Sequence, residues 1–391
     1  MTAVAHPGFD DLQLTELSAR QGVKWARAVA AQAIPAWVAD MDFLLAAEIR
    51  DAVTDVVRTG DVGYPNWLQG TPLREEFARR MSLRYGWEPD PESVREHTDL
   101  IAALQLILRL ATQPGDAVAI QTPNYPPFLA TVASMGLRTV PFAYRDTPTG
   151  WQLDFAEFER LLRQQRPAVL ILVNPHNPTG RVHTRAELER IAELAEEFGM
   201  LVISDEIHAE LVYAPHQHVP FASLGPATAA RTVTLTSASK SFNLAGFRCA
   251  VSHFGPQELL ARRDSEPPDL YGTVSVPGVV ATLAAWRHGD RWQRELLDVL
   301  DRNRRRVHDA LTTALPTVGH HLPEGTYLSW LDVSATGLED PVAVVRRDGH
   351  VLVDGGEAFG PDSRAFIRVN FATSQAVLDR VLTGVTGALS A

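Results

Sequence analysis

Two hydrophobic periods alternate along the chain between residues 117 and 235. Short apolar runs rich in β-branched residues are typical of buried strands, and the stretches between them repeat apolar residues every three or four positions, as amphipathic helices do. Strands that alternate with helices in this way indicate a largely parallel sheet covered on both faces. The predicted strands are 117–121, 138–142, 168–173, 201–204 and 232–235, and the helices between them are 127–135, 155–165 and 186–198.

The flanking regions have a different pattern. Upstream helices are predicted at 46–58, 71–85 and 100–110, and a continuous helical pattern at 279–315 precedes strand-like segments at 326–331, 350–353 and 366–370 and a final helix. We therefore expect an α/β protein of about two domains. The predicted division is an N-terminal arm at 1–47 packing with the small domain, a large domain at 48–280 and a small α+β domain at 281–391.

Charge and composition argue against several classes of protein. The 391 residues carry a net charge of −11, which argues against nucleic acid or an anionic membrane as a partner. Cys249 is the only cysteine, so an internal disulfide is excluded. No apolar run approaches a membrane span and residues 1–10 lack a hydrophobic signal core, so we expect a cytoplasmic protein. The basic run 302–306 is interpreted as a solvated helix face.

Four predicted strands end in loops with chemically active side chains. The carboxyl ends of parallel strands meet at one edge of a sheet, where ligands collect. We therefore expect these side chains to converge on a site that packing alone would not require. They are Tyr125 after the first strand, Asn177 after the third, Asp205 after the fourth and Lys240 after the fifth.

These four residues match what pyridoxal phosphate requires. Lys240 can form a Schiff base with a phosphorylated aldehyde. Asp205 can keep the pyridine nitrogen protonated, and Asn177 can donate to the phenolic oxygen. Tyr125 can stack on the ring.

A phosphate and a substrate carboxylate need further partners. Hydroxyl groups, backbone amides at a helix start and a cation can hold a phosphate. Arg368 is chosen for the substrate carboxylate, because arginine binds carboxylates in a two-pronged way. The phosphate candidates are Ser237, Ser239, Arg248 and the turn before Leu100.

Asp40 and Asp42 can be helix caps or metal ligands. No histidine or further carboxylate stands near them at ligand spacing, so no metal site is expected.

The motifs in order resemble those of the class I/II aminotransferase family, which is pyridoxal-phosphate-dependent and of fold type I. They are NPHNPTG at 174–180, SDEIH at 204–208, SKSFNLAG at 239–246 and FIRVN at 366–370. The resemblance covers nearly the whole chain and implies a mostly parallel, seven-stranded sheet between helices. The motifs WVADMDF at 37–43 and DEIH at 205–208 resemble the branch of cystathionine β-lyase-type carbon–sulfur lyases.

The resemblance also implies roles for single residues. It makes Lys240 the cofactor lysine and places the other residues proposed above around the cofactor. It places Ala39 and Asn177 with Arg368 at the substrate. Tyr64 matches a tyrosine that family members contribute across a homodimer interface, so shared active sites are implied. His208 replaces a tyrosine beside the cofactor, or alternatively is a satisfied histidine of the cavity wall.

Two features depart from the family pattern. The turn at 98–100 contains Asp99, which would repel a phosphate unless its carboxylate points away and only backbone amides face the ligand. Arg248 is more typical of the aminotransferases than of many lyases in this branch. These departures leave the choice between lyase and transaminase open.

Four functions remain open at this point. The first is β-elimination from cystathionine or another L-cysteine S-conjugate, with Lys240 as base and Lys240 or Tyr64 as proton donor. The second is transamination through the same lysine. The third is a specialised natural-product reaction on an S-conjugated amino acid, including oxidative decarboxylation–deamination. A non-catalytic regulator is disfavoured, because Lys240, Asp205 and Arg368 are intact and no DNA-binding segment is present.

Overall fold

The computed structural model describes residues 8–67, 70–267 and 270–390. Residues 1–7, which belong to the stretch where no signal core is expected, lie outside the described residues. The helices are α1 Leu14–Ser18, α2 Val23–Ala30, α3 Ala47–Thr59, α4 Leu73–Tyr85, α5 Leu100–Ala111, α6 Pro126–Ser134, α7 Phe155–Gln165, α8 Arg185–Glu197, α9 Pro226–Ala229, α10 Ala238–Ser241, α11 Gln257–Asp264, α12 Val276–His288, α13 Asp290–Ala314, α14 Pro341–Gly349 and α15 Gln375–Ser390. The strands are β1 Ile34–Pro35, β2 Val94–His97, β3 Ala117–Thr122, β4 Arg138–Thr147, β5 Gly150–Leu153, β6 Val169–Val173, β7 Leu201–Asp205, β8 Thr232–Thr236, β9 Ala250–Phe254, β10 Gly319–His320, β11 Leu328–Asp332, β12 Val351–Leu352, β13 Asp354–Gly355 and β14 Phe366–Asn370.

The main sheet has the order β2-β9-β8-β7-β6-β3-β4-β5 in the described part of the chain. Strands β4, β3, β6, β7 and β8 are mutually parallel, and β6 is buried along its whole length, as a strand covered on both faces must be. The α/β class is therefore confirmed. The expected number of seven strands is wrong by one, because β5 pairs antiparallel with β4 in a hairpin and extends the sheet edge.

The long helix predicted at 279–315 is two helices. Gly289 separates α12 from α13, and a Cβ at this position would lie 2.6 Å from a ring carbon of Phe242. The close approach of that ring therefore requires glycine.

The basic run 302–306 is not solvated throughout. Arg304 is buried, its Nη1 donates to the Pro323 carbonyl at 2.8 Å, and its guanidinium lies 4.3 Å from the centre of the Tyr213 ring. Arg305 and Arg306 are exposed, as expected. The run faces solvent on one side and packs into the fold on the other.

A second, antiparallel sheet has the order β10-β11-β14-β13 in the described residues. One hydrophobic core joins apolar residues between positions 9 and 43 to residues of α13, α15 and this second sheet. Strand β1 also pairs with β12, with Ile34 opposite Val351. The domain boundaries at 47/48 and 280/281 stay predictions.

Within the described residues, none of the helices combines the length and apolar character needed to cross a bilayer.

Candidate active site

Lys240 lies in the short helix α10, directly after β8. The Ser237 hydroxyl caps this helix by accepting a hydrogen bond from the Ser239 amide at 3.0 Å. The amine Nζ of Lys240 donates to the carbonyl oxygen of Ala39 at 2.6 Å. Burial lowers the pKa of this amine to about 8, so about a fifth of it is neutral near pH 7.4, far more than for an ordinary lysine.

Asp205 ends the neighbouring strand β7 and is buried. Its carboxylate accepts a hydrogen bond from the Ile207 amide at 3.0 Å. Burial nevertheless raises the pKa of Asp205 to about 7. A carboxylate in this environment is stabilised by a cationic partner such as a protonated ring nitrogen.

Most of the proposed site residues line one cavity at the carboxyl edge of the parallel strands. The residues proposed from sequence that line it are Ala39, Asp99, Leu100, Tyr125, Asn177, Asp205, His208, Ser237, Ser239, Lys240 and Arg248. Most of them come from strand ends, helix starts and loops that the parallel strands bring to one edge. Their individual roles stay predictions.

Tyr125 and Asn177 also line the cavity. Tyr125 precedes α6 and packs edge-on against Phe128, with ring centres 5.8 Å apart. The side-chain oxygen of Asn177 accepts a hydrogen bond from Arg368 Nη1 at 2.9 Å. This bond orients the amide, so its NH₂ group is the part that is free to donate.

Asp99 caps the start of α5. One carboxylate oxygen accepts a hydrogen bond from the Ala102 amide at 2.9 Å, and the other forms an ion pair with Arg248. The expected repulsion of a phosphate is therefore offset by Arg248, and the N-terminus of the twelve-residue helix α5 faces the cavity.

Ser237 has a structural role that the sequence did not show. Besides capping α10, its hydroxyl donates to the Cys249 carbonyl at 2.6 Å. The Ser237 hydroxyl proton is therefore already used in a hydrogen bond within the protein. Ser237 can lie beside a phosphate, but it can donate this proton to the phosphate only if the bond to Cys249 breaks. Ser239, half-buried in the same wall, is the better hydroxyl candidate.

Arg368 is buried in β14 behind the cavity wall, opposite Asp354 of β13. Its guanidinium donates to Asn177, to the Trp37 carbonyl at 3.1 Å and to the Asp354 carboxylate. Asp354 was not predicted as a site residue, because strand register cannot be read from one sequence.

His208 is buried, and its ring lies edge-on to Tyr327 with centres 6.0 Å apart. Burial, with Lys240 and Arg368 nearby, lowers the pKa of His208 to about 3, so the ring is neutral. Tyr327 donates its hydroxyl proton to the same Ala39 carbonyl that Lys240 contacts, at 3.0 Å. Sequence reasoning missed Tyr327, since it appeared only as part of a predicted strand.

Tyr64 and Asp42 are not among the residues that line this cavity. Tyr64 is fully exposed and is not among the residues of the cavity wall in this chain. Asp42 is a buried ion-pair partner of Lys24 at 3.0 Å, so it stabilises the arm. Among the described residues, no group of three or more histidine, cysteine, aspartate or glutamate side chains could hold a metal.

Comparison with known proteins defines the class. The family model for aminotransferase class I and II matches residues 40–385, and the chain belongs to this family. It is 34% identical to cystathionine beta-lyase PatB of Bacillus subtilis, covering 95% of this chain and 97% of that protein. It is 30% identical to a cystathionine beta-lyase of Corynebacterium glutamicum, covering 96% and 99%.

A solved structure agrees with the architecture. The PLP-bound C-S lyase from Staphylococcus hominis superimposes with a TM-score of 0.90 at 27% identity, covering 97% of this chain and 98% of that one. The fold type I expectation is thereby confirmed.

The residues present fit pyridoxal phosphate. The cavity combines an amine with a lowered pKa, a carboxylate whose pKa is raised by burial, and an amide with a free donor. This donor set matches the aldehyde, ring nitrogen and phenolic oxygen of that cofactor. Lys240, Asp205 and Asn177 would hold these groups, and the start of α5 with Arg248 would face the phosphate.

Proposed function

We propose that the protein is a pyridoxal-phosphate-dependent carbon–sulfur β-lyase. Its substrates are water and cystathionine or another L-cysteine S-conjugate, and its products are a thiol, pyruvate and ammonia. The observation that carries the proposal is the Lys240 amine, which has a lowered pKa and shares a cavity with the buried Asp205. Similarity to cystathionine β-lyases over more than nine-tenths of the chain supports the choice of reaction.

The cofactor, when bound, supplies an electron-withdrawing ring that stabilises negative charge at the substrate Cα. Asp205 holds the proton on the ring nitrogen, because a buried carboxylate favours a neighbouring cation. Asn177 donates to the phenolic oxygen. Arg368 binds the substrate carboxylate and so fixes which Cα bond faces the ring.

Lys240 moves the protons. A base works best when its pKa lies close to the working pH, and a pKa of about 8 meets this condition. Lys240 takes the proton from Cα, and Lys240 or Tyr64 then protonates the sulfur that leaves Cβ. The neutral His208 contributes to the cavity wall without adding a positive charge beside the lysine.

The working form is proposed to be a cytoplasmic homodimer with shared active sites. Large apolar side chains are exposed in the segment of the chain that leads to Tyr64, at Leu44, Val57 and Val62. Exposed apolar groups of this kind indicate an interaction surface, and a second copy with two-fold symmetry would cover them and bring Tyr64 to the partner's cavity.

The direct test offers L-cystathionine to the purified protein. Lyase activity predicts pyruvate and free thiol in equal amounts without an added 2-oxo acid. Amino transfer that requires a 2-oxo acid and releases no thiol would instead establish transamination, which the same lysine can perform.

The lysine is tested separately. Borohydride should trap a cofactor–lysine adduct in the natural protein, and Lys240→Ala should lack it. Removing a general base lowers turnover by about 10²- to 10⁴-fold or more. An adduct that persists in Lys240→Ala would disprove the assignment of the cofactor lysine.

A further inference from the structure

Most of the donors of Arg368 are already engaged. The guanidinium has five N–H groups. Nη1 donates to Asn177, and Nη2 donates to both the Trp37 carbonyl and the Asp354 carboxylate. Nε is buried and has no hydrogen-bond partner among the described residues. Both Nη2 hydrogens are therefore committed.

This arrangement is incompatible with a two-pronged substrate contact. An arginine clamps a carboxylate through two adjacent N–H groups, either Nε with Nη2 or Nη1 with Nη2. Both of these pairs of N–H groups include Nη2. A substrate carboxylate can therefore form the two-pronged contact with Arg368 only after one of the two Nη2 acceptors has left.

The two acceptors differ in how firmly they are held. The backbone that follows Trp37 is held by the second sheet. Asn370 in that sheet donates hydrogen bonds to the carbonyls of Val38 and Asp40, both at 2.6 Å. Asp354 lies in the two-residue strand β13 at the end of that sheet, and its side chain is 30% exposed. Asp354 is the acceptor that can move.

The charge of Asp354 is also poorly stabilised in its position beside Arg368. Burial raises the pKa of this carboxyl in spite of Arg368, which shows that its charged form is poorly solvated where it stands. A rotation of the side chain toward solvent restores hydration to the carboxylate and leaves one Nη2 hydrogen for a ligand.

We propose that Asp354 is an internal competitor for the substrate α-carboxylate at Arg368. The carboxylate of the bound amino acid replaces that of Asp354, so Asp354 sets how tightly the site binds amino acids. This role rests on the proposed function only in requiring that the substrate carries an α-carboxylate.

The test measures binding of propionate, a simple carboxylate, by ligand-observed NMR, with the neutral propionamide as control probe. Asp354→Asn and Asp354→Ser remove the competing charge, and the serine is also too short to reach Arg368. Propionate binding should tighten about tenfold, within the range of a charge-assisted hydrogen bond, and propionamide binding should not change. In the active enzyme, KM should fall by a similar factor at unchanged kcat.

Glu357→Gln is the matched control, since Glu357 is an exposed carboxylate in the neighbouring turn. It should leave propionate binding unchanged, and thermal unfolding should show that all variants are folded. Weaker propionate binding in both Asp354 variants would overturn the proposal, because Asp354 would then orient Arg368. Unchanged binding would overturn it as well. Propionate binding needs no turnover, so failure of the lyase assay would not be confused with failure of this proposal.

Discussion

The Lys240 amine and the Ala39 carbonyl oxygen form a hydrogen bond of 2.6 Å between residues 201 positions apart. The same oxygen accepts the Tyr327 hydroxyl at 3.0 Å. Asn370 holds the carbonyls on either side of Ala39. We therefore expect the N-terminal arm to position the lysine, with Tyr327 as a positioning residue that acts through Ala39.

Tyr327→Phe should lower kcat/KM about fivefold, the factor that corresponds to roughly 1 kcal/mol. The loss follows because Ala39 keeps only one of its two donors and Lys240 is held less precisely. Steady-state kinetics over a range of pH, with the absorbance of the cofactor, provides the measurement. The apparent pKa of the active-site amine should shift as well.

Tyr213→Phe is the matched control for this prediction. Tyr213 is also a buried tyrosine whose hydroxyl donates to a backbone carbonyl, that of Thr326. Both variants should lose about 0.5–1.5 kcal/mol of folding stability. Equal effects of the two variants on the pH profile would contradict the role given to Tyr327.

Asp205 should make the stability of the cofactor-free protein pH-dependent. Its pKa is raised from an ordinary value near 3.8 to about 7 in the folded state, so the folded protein binds more protons than the unfolded chain between these values. Stability is then greatest below the lower value and is lost as pH rises through about 7. The free energy of unfolding should fall by up to ~4 kcal/mol across this window, because each tenfold change in proton affinity corresponds to ~1.4 kcal/mol.

Asp205→Asn removes this titration and leaves the rest of the protein unchanged. Urea unfolding of both cofactor-free proteins at a series of pH values should show the natural protein losing stability relative to the variant between about pH 4 and 7. A constant difference would mean that Asp205 titrates normally. With the cofactor bound, the free energy of unfolding of the natural protein and of Asp205→Asn should depend on pH in the same way over this range. The ring nitrogen pairs with the Asp205 carboxylate and keeps it charged.

Tyr64 should act on the partner's site. If the chain forms the proposed homodimer, Tyr64→Phe and Lys240→Ala chains that are unfolded and refolded together should form hybrid dimers. In these hybrids one of the two sites has both natural residues. Random pairing should restore roughly a quarter of the natural activity if the sites are shared across a two-fold axis. The two variants mixed without exchange of chains are the control. If the refolded mixture recovers no activity, each chain completes its own site.

The Lys24–Asp42 ion pair should be important for stability. Both side chains are buried, the two charged atoms lie 3.0 Å apart, and the Trp25 indole donates to the same carboxylate at 2.6 Å. Lys24→Met leaves the Asp42 charge uncompensated and should cost roughly 3–5 kcal/mol in urea unfolding.

The exposed Arg50–Asp51 pair is the control for that measurement. Arg50→Met should cost less than ~1 kcal/mol, because solvent screens the pair. A similar loss of stability in both variants would show that the Asp42 charge is compensated by another group or by solvent when Lys24 is removed.

Much of the fold could be predicted because the deciding interactions are local. The helix at 155–165 was predicted with the bounds that the structure has, and the strand at 366–370 likewise. The break at Gly289 and the strands β2, β5 and β9 were missed. The break depends on contact with the distant Phe242, and β2 and β9 pair through hydrogen bonds between distant segments.

The sequence by itself determined that Tyr125, Asn177, Asp205 and Lys240 would converge, because each lies at or after the carboxyl end of a strand of one parallel sheet. Only the tertiary structure decided which contacts with distant residues complete the site. The Lys240–Ala39 hydrogen bond depends on the packing of the arm, and the Arg368–Asp354 ion pair depends on the register of β13 against β14. Contacts of this kind are set by the whole fold, since local propensity carries no information on which distant backbone or side chain will arrive.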